Sequence, residues 1–150
     1  DITELMCVAA NVKTALRAAR TNKDAHFLDA ALCACDTLDK ASLAAAALKG
    51  DGSESALRAC LLTTPYADCV KAAQNGADAP LSLSGLEKWF DDRIMARLQP
   101  VKYTFFGPEP LIAYYLAREA EVRNIRILLS GKRHEVEDSV IRERMRQLYV

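Results

Sequence analysis

The side chains that could act as a nucleophile and a base in this chain are five cysteines and two histidines. A catalytic cysteine needs an imidazole or another base within hydrogen-bond reach. His26 precedes Phe27 and Leu28 in an alanine-rich helical pattern, and His134 lies in a charged loop. Both settings are typical of partly exposed structural histidines. The sequence therefore predicts no catalytic residue.

The sequence also gives little support for a metal site or a disulfide framework. Cys33 and Cys35 are separated by one residue and lack the second Cys or His pair that would complete a tetrahedral zinc site. The cysteines are odd in number and lie in one half of the chain, which favours reduced thiols that serve as small core residues. We expect neither a structural metal nor a disulfide framework.

Cofactor chemistry would need a recognisable motif, and the sequence contains none of GxGxxG, GxxxxGK[ST], HExxH or GxSxG. The adjacent carboxylates Asp91 and Asp92 suggest metal or acid–base chemistry. Neighbouring residues of a helix point about 100° apart, however, and we interpret the pair as part of a solvated face. The sequence predicts no cofactor-binding residue and no metal ligand.

The charge balance argues against a general attraction to nucleic acid or anionic lipid, because twenty basic residues match twenty acidic ones. Arg142, Arg144 and Arg146 form a basic stretch, but acidic residues interrupt this part of the chain, which favours a salt-bridged protein surface. No apolar run approaches the roughly 20 residues of a membrane span. The missing initiator Met and signal sequence suggest a piece of a longer protein.

Apolar residues recur at helical spacing along almost the whole chain, and no segment alternates with the period of a strand, so we predict an all-α fold. Glycine, proline and small polar residues cluster at 74–85. This cluster predicts a boundary between an Ala-rich helical unit at 1–79 and a C-terminal helical unit at 80–150. The predicted helices cover 2–19, 24–35, 38–49, 54–63, 65–74, 86–98, 108–130 and the stretch from about 137 to Tyr149.

Two decapeptides indicate an internal repeat. NVKTALRAAR at 11–20 and NIRILLSGKR at 124–133 share Asn, Leu and Arg in register, with Val opposite Ile and Lys opposite Arg. The offset between them is 113 residues. The two halves are therefore predicted to be degenerate repeats.

Longer segments carry a resemblance to a known family. FGPEPLIAYYLAREAEVRNIRILLSGK at 106–132, followed by IRERMRQLYV at 141–150, closely resembles the C-terminal region of the family of C subunits from V-type and A-type ATPases. The eukaryotic counterpart is called the d subunit. DITELMCVAANVKTALRAAR at 1–20, FLDAALCACDTLDKASLAAAAL at 27–48 and TTPYADCVKAA at 63–73 are similar to the middle helices of the family, in the same order.

The resemblance implies a funnel-shaped, entirely helical protein built from degenerate three-helix units, of which this chain would be the C-terminal portion. It also implies a non-catalytic subunit at the cytoplasmic face of the membrane, without a cofactor. Such a subunit lies between the membrane proteolipid ring and the central-shaft subunits of a rotary ATPase. It couples shaft rotation to ion transport, such as hydrogen ion transport, or to ATP synthesis.

A coupling subunit acts through protein contacts, so exposed charges on the last two long helical segments are the candidate interface residues. Arg118 and Glu121 are three residues apart on one side of the helix at 108–130. Arg142 and Arg146 lie on the predicted C-terminal helix. All four are candidates for contact with the shaft or the ring.

Glu119 and Arg123 have the favourable i,i+4 spacing, with Arg126 on the same side of the helix. Two interpretations stay open for this group, namely an internal ion-pair network, which we favour, and a polar seam that faces another subunit. The alternative function for the whole chain is a helical adaptor or a winged-helix-like nucleic-acid-binding module. A cysteine enzyme is a more distant third.

Overall fold

The computed structural model describes residues 2–74 and 79–149, and 74% of these residues are helical. None of the described residues lies in a strand, which confirms the all-α prediction. Contacts divide the chain into two compact units, residues 1–90 and 91–150. The division falls inside a helix, eleven residues after the boundary predicted from composition.

The first unit is built around its first helix. This helix contacts the second, third and fourth helices, and its buried side chains include Val8, Val12 and Leu16. Leu28, Leu43 and other large apolar residues complete the core. The helices of this unit are α1 (Ile2–Arg20), α2 (Ala25–Ala31), α3 (Lys40–Ala47), α4 (Ser53–Leu62), α5 (Ala67–Ala72) and the first part of α6 (Leu83–Leu98).

The second unit contains the rest of α6, a 3-10 turn at Gln99–Tyr103, α7 (Glu109–Arg133) and α8 (Asp138–Arg144). α7 contacts the 3-10 turn and α8. It buries a narrow stripe of small side chains spaced three or four residues apart, so its packed side is narrow. None of the described helices is both long and apolar enough to cross a membrane. The buried stripe of α7 consists of Ala113, Ala117, Ala120 and Asn124.

The helix predicted from Pro65 begins two residues later, at Ala67. The Thr64 hydroxyl donates to the Leu61 carbonyl at 2.7 Å and accepts from the Tyr66 N–H at 3.3 Å, so it bridges the end of α4 and the turn that precedes α5. The predicted end of this helix at Asn75–Gly76 lies outside the described residues.

The prediction that Gly131 ends the long helix is wrong, because α7 continues to Arg133. Gly131 has a packing role instead. A Cβ atom at this position would lie only 2.6 Å from Cδ1 of Ile141, the buried apolar residue of α8. The glycine therefore lets α8 pack closely against α7.

Two predicted helices extend four or five residues beyond the observed C-terminal ends. α2 ends at Ala31, where we predicted residue 35, and α8 ends at Arg144, where we predicted a helix up to Tyr149. Leu32 and Met145, the residues that follow, both have extended backbones. The physical reason is the same in both places, since an asparagine of the preceding long helix binds the backbone one residue further on.

Candidate partner interface

In each unit, an asparagine of the long helix forms two hydrogen bonds with the backbone of one residue after the short helix. This contact is here called the amide clamp. In the first unit, the backbone N–H of Cys33 donates to Asn11 Oδ1 at 2.9 Å, and Asn11 Nδ2 donates to the Cys33 carbonyl at 2.8 Å. In the second unit, the N–H of Arg146 donates to Asn124 Oδ1 at 2.8 Å, and Asn124 Nδ2 donates to the Arg146 carbonyl at 3.0 Å. Both asparagines are at least 96% buried, so each clamp satisfies an amide that burial would otherwise penalise.

The turn between the paired helices is also shared. Asn22 and Glu135 are the only non-glycine residues with positive φ among those that the structure describes, at 48° and 53°. Each lies two residues after the end of its long helix. Among the backbone hydrogen bonds of each turn, one is equivalent in the two units: Lys23 N–H donates to the Ala18 carbonyl at 3.0 Å, and Val136 N–H donates to the Gly131 carbonyl at 2.9 Å.

The amide clamps and turns give α1–α2 and α7–α8 the same plan at the offset of 113 residues that the two decapeptides indicate. The observed repeating element is a helix pair. In the second unit it determines how α7 is held and which of its sides stay exposed.

The C-terminal segment 145–149 is bound to the middle of α6 by the two adjacent carboxylates. Asp91 accepts from Arg146 Nε at 3.1 Å, and Asp92 accepts from the Gln147 N–H at 2.6 Å. Interpreting Asp91 and Asp92 as a solvated face is therefore wrong. The 100° between neighbours on a helix lets the two carboxylates bind different groups of one crossing segment. Gln99 adds bonds from Nε2 to the carbonyls of Leu148 and Tyr149.

Two of the three charges considered for an internal network on α7, Glu119 and Arg123, form ion pairs within the second unit. Arg123 Nη1 lies 2.7 Å from Asp91 Oδ1, and Arg123 Nη2 lies 3.9 Å from Glu119 Oε2. Asp91 is the shared acceptor, since it also binds Arg146, and its side chain is only 19% exposed. These contacts support the internal network over the seam that faces another subunit.

The structure places the four candidate interface residues in different settings. Arg118 and Glu121 are paired with each other across one turn of α7, with side chains 60% and 32% exposed. Arg142 is exposed on α8. Arg146 lies beyond the end of α8, and its side chain is 9% exposed because it binds Asp91. The interface role of all four stays a prediction.

Large apolar side chains are exposed next to these charges. Tyr103 at the end of the 3-10 turn and Phe105 and Phe106 in the loop before α7 are each at least 81% exposed. Exposed apolar residues in this number are typical of an interaction surface. In the sequence, the apolar residues of α7 lie almost all the way round the helix, which predicts a helix covered on several sides; among the described residues only one narrow side is buried. On α7 the exposed apolar residues are Leu111, Ile112, Tyr114, Tyr115, Val122, Ile125, Leu128 and Leu129.

All five thiols are free. Cys69 is fully buried, and burial raises its pKa to about 12, so it remains a neutral core thiol at physiological pH. Cys33 is exposed and Cys7, Cys35 and Cys60 are half-buried, so the expectation that most of the cysteines are core residues is wrong. Among the described residues, no group of three or more His, Cys, Asp or Glu is arranged to hold a metal ion.

A family model and two curated relatives point to the same protein family. The family model described as ATP synthase (C/AC39) subunit matches residues 4–144. The C subunit of the V-type sodium ATPase of Enterococcus hirae is 30% identical over 139 residues, which are 93% of this chain and 41% of that protein. The C subunit of the A-type ATP synthase of Haloferax volcanii is 30% identical over 123 residues, 81% of this chain and 34% of that protein. No solved structure gives a significant match, and the chain spans less than half the length of either curated relative.

Proposed function

Because this chain belongs to the ATP synthase (C/AC39) subunit family, we propose that the full-length protein couples the central shaft of a rotary V/A-type ATPase to its membrane proteolipid ring. The family is a non-catalytic accessory subunit of these ATPases. In this proposal the protein binds peripherally at the cytoplasmic face and transmits rotation for ion transport or ATP synthesis. The observation that carries the proposal is the family match along 4–144.

The surface of the second unit fits a protein that works through contacts. α7 presents the Arg118–Glu121 ion pair beside exposed apolar side chains, and such combinations of charge and apolar area set the register and strength of a protein interface. We assign Arg118, Glu121 and Arg142 to direct contact with the shaft or the ring. Arg146 would support that surface through its bond to Asp91 while keeping a smaller exposed edge.

The experiment is charge reversal in the full-length subunit within its ATPase. Arg118→Glu with Glu121→Lys, and separately Arg142→Glu, should leave the helical circular dichroism signal unchanged. Each should weaken co-purification with shaft or ring subunits and reduce ion transport per ATP hydrolysed. Arg146→Glu should also lower the stability of the subunit, because it places two carboxylates together.

A matched control is available in the first unit. Asp68 and Lys71 form an exposed ion pair on α5 with the same three-residue spacing as Arg118 and Glu121. Asp68→Lys with Lys71→Asp should leave assembly and coupling unchanged. If the α7 and α8 reversals also assemble and pump like the wild type, the assignment of these residues to the interface is wrong. If the wild-type subunit itself does not co-purify with a rotary ATPase, the coupling function is wrong.

A further inference from the structure

The two helix pairs can be compared position by position. Adding 113 to the bounds of α2, Ala25–Ala31, gives those of α8, Asp138–Arg144. The same offset takes the last residue of α1 to the last residue of α7. It also relates the amide clamps and the left-handed turn residues. A difference in burial at equivalent positions therefore reports a difference in what covers the helix.

One side of the long helix differs strongly in burial. Three apolar positions of α1 are at most 6% exposed, whereas the equivalent positions of α7 are 44%, 55% and 63% exposed. These side chains on α7, here called the uncovered face, are one helical turn apart and form a continuous apolar strip. The uncovered face is Val122, Ile125 and Leu129, and the equivalents on α1 are Ala9, Val12 and Leu16.

The difference arises from helices that only the first pair contacts. α1 contacts α2, α3 and α4, and of these only α2 has a counterpart in the second unit, namely α8. The same offset would place the counterparts of α3 and α4 after residue 150. In the first unit, α3 and α4 form a hairpin that lies against α1. The uncovered face therefore occupies the place at which a comparable hairpin would pack.

We propose that a helical hairpin from the same polypeptide, outside these 150 residues, covers the uncovered face in the full-length subunit. The matched segments are only 41% and 34% of the two relatives, so most of such a protein lies outside the matched region. A segment of the same chain meets the face at a high effective concentration, whereas a second copy must overcome the entropy of association. Burial of three apolar side chains then stabilises the closed unit.

The charges of α7 indicate where this hairpin ends. Arg118 and Glu121 occupy the positions of Leu5 and Val8, which are at most 7% exposed on α1. Covering the Arg118–Glu121 ion pair in the same way would remove both charges from water at a large desolvation cost. The hairpin therefore packs from Val122 towards the C-terminal end of α7 and leaves the ion pair accessible to another subunit.

Side-chain volume also constrains the hairpin. Val122 and Ile125 replace Ala9 and Val12, so the uncovered face is bulkier than its counterpart on α1. Protein interiors pack at a nearly uniform density. The helix that covers α7 must therefore lie farther from it, or present smaller side chains than the buried Leu43 of α3.

Thiol labelling of the isolated full-length subunit tests the proposal. Ile125→Cys lies on the uncovered face, and Ile112→Cys is a matched control on another side of α7, since Ile112 is 51% exposed and Ile125 is 55% exposed. Peptide mass spectrometry separates each new thiol from the five native ones after a short maleimide pulse. We expect Ile125→Cys to be labelled at least about tenfold more slowly than Ile112→Cys in the monomer.

Every outcome bears on the proposal. Slow labelling at position 125 that does not change with protein concentration supports the intramolecular hairpin. Slow labelling that appears only at concentrations where the subunit dimerises assigns the face to a second copy, and slow labelling only within the assembled ATPase assigns it to another subunit. Either result overturns the proposal, as does equal labelling of the two thiols throughout. Ile125→Asp should lower the Tm of the full-length monomer by more than Ile112→Asp, and equal Tm values would also contradict the proposal.

Discussion

The helix pairs α1–α2 and α7–α8 share a backbone plan but differ in almost all of their packing side chains. Both pairs end their long helix at the same relative residue, turn through a residue with positive φ and bind the exit of the short helix with a buried asparagine. At the positions where α1 has buried side chains, most of the equivalent side chains on α7 are bulkier, charged or exposed. The geometry of the pair therefore depends on a few backbone contacts, and the packing surface can change independently.

The largest expected effect separates equivalent leucines. In this chain, Leu16→Ala should lower the free energy of unfolding by about 2–5 kcal/mol, because it leaves a cavity under a side chain that is 1% exposed. Leu129→Ala should change it by no more than about 0.5 kcal/mol, because Leu129 is 63% exposed. Urea denaturation of the two variants measures both values. Similar losses would show that α7 is covered within these 150 residues.

The next effect compares the amide clamps. Asn11→Ala and Asn124→Ala should each cost about 1–3 kcal/mol, because each leaves a backbone N–H and carbonyl without their partner amide. Asn→Asp at either position buries a carboxylate and sets one of its oxygens against the carbonyl that Nδ2 had bound, so at neutral pH it should destabilise at least as much as alanine. Chemical denaturation tests the series. An alanine variant as stable as the wild type would mean that the clamp is not what ends α2 or α8.

A smaller effect distinguishes the starts of the short helices. Asp24 caps α2 by accepting from the Phe27 N–H at 2.9 Å, whereas Glu137 makes no side-chain cap on α8. Asp24→Ala should therefore cost about 0.5–2 kcal/mol, and Glu137→Ala should be neutral within about 0.5 kcal/mol. Glu137→Asp should raise the Tm by introducing the missing cap. Equal Tm values for all three variants and the wild type would contradict this comparison.

The smallest effect concerns acid stability. The N–H and hydroxyl of Thr37 donate to Glu4 and lower the pKa of its carboxyl below the ordinary 4.5, whereas the equivalent position on α7 is Ala117. A lowered pKa adds stability above the unfolded-state value, and this contribution is lost as the pH falls through the folded-state pKa. Glu4→Gln should flatten the pH dependence of the urea midpoint below about pH 5. An unchanged profile would show that Glu4 does not couple folding to pH.

Periodicity alone was enough to predict the fold class and the existence of the main helices, because helical spacing of apolar residues reflects which sides are buried. The ends of α2 and α8 were not predictable in this way. They depend on hydrogen bonds from Asn11 and Asn124 to residues 22 positions away, and local propensity carries no information about such contacts. Gly131 shows the same limit, since its role depends on Ile141 and not on its neighbours in sequence.

The candidate interface was predictable only as a set of charges. Helical spacing placed Arg118 and Glu121 on one side of α7, where the structure also has them. The bond between Arg146 and Asp91 required knowledge of the path of the segment after α8, which the sequence pattern extended as a helix. The one sequence signal for the path of this segment was the asparagine that recurs at the same position of the repeat, Asn11 and Asn124. In both copies this asparagine binds the backbone that follows the short helix.

The two amide clamps span the same number of residues, and this limits which sequence changes the protein can tolerate. Substitution has altered most side chains between the two copies, yet the stretch from Asn11 to Cys33 has the same length as the stretch from Asn124 to Arg146. One residue inserted into a helix rotates everything after it by about 100° and shifts it by about 1.5 Å, which would carry the bound backbone out of reach of the asparagine. Within each helix pair, single-residue insertions and deletions should therefore be far more damaging than substitutions, and libraries for engineering should vary composition at fixed length.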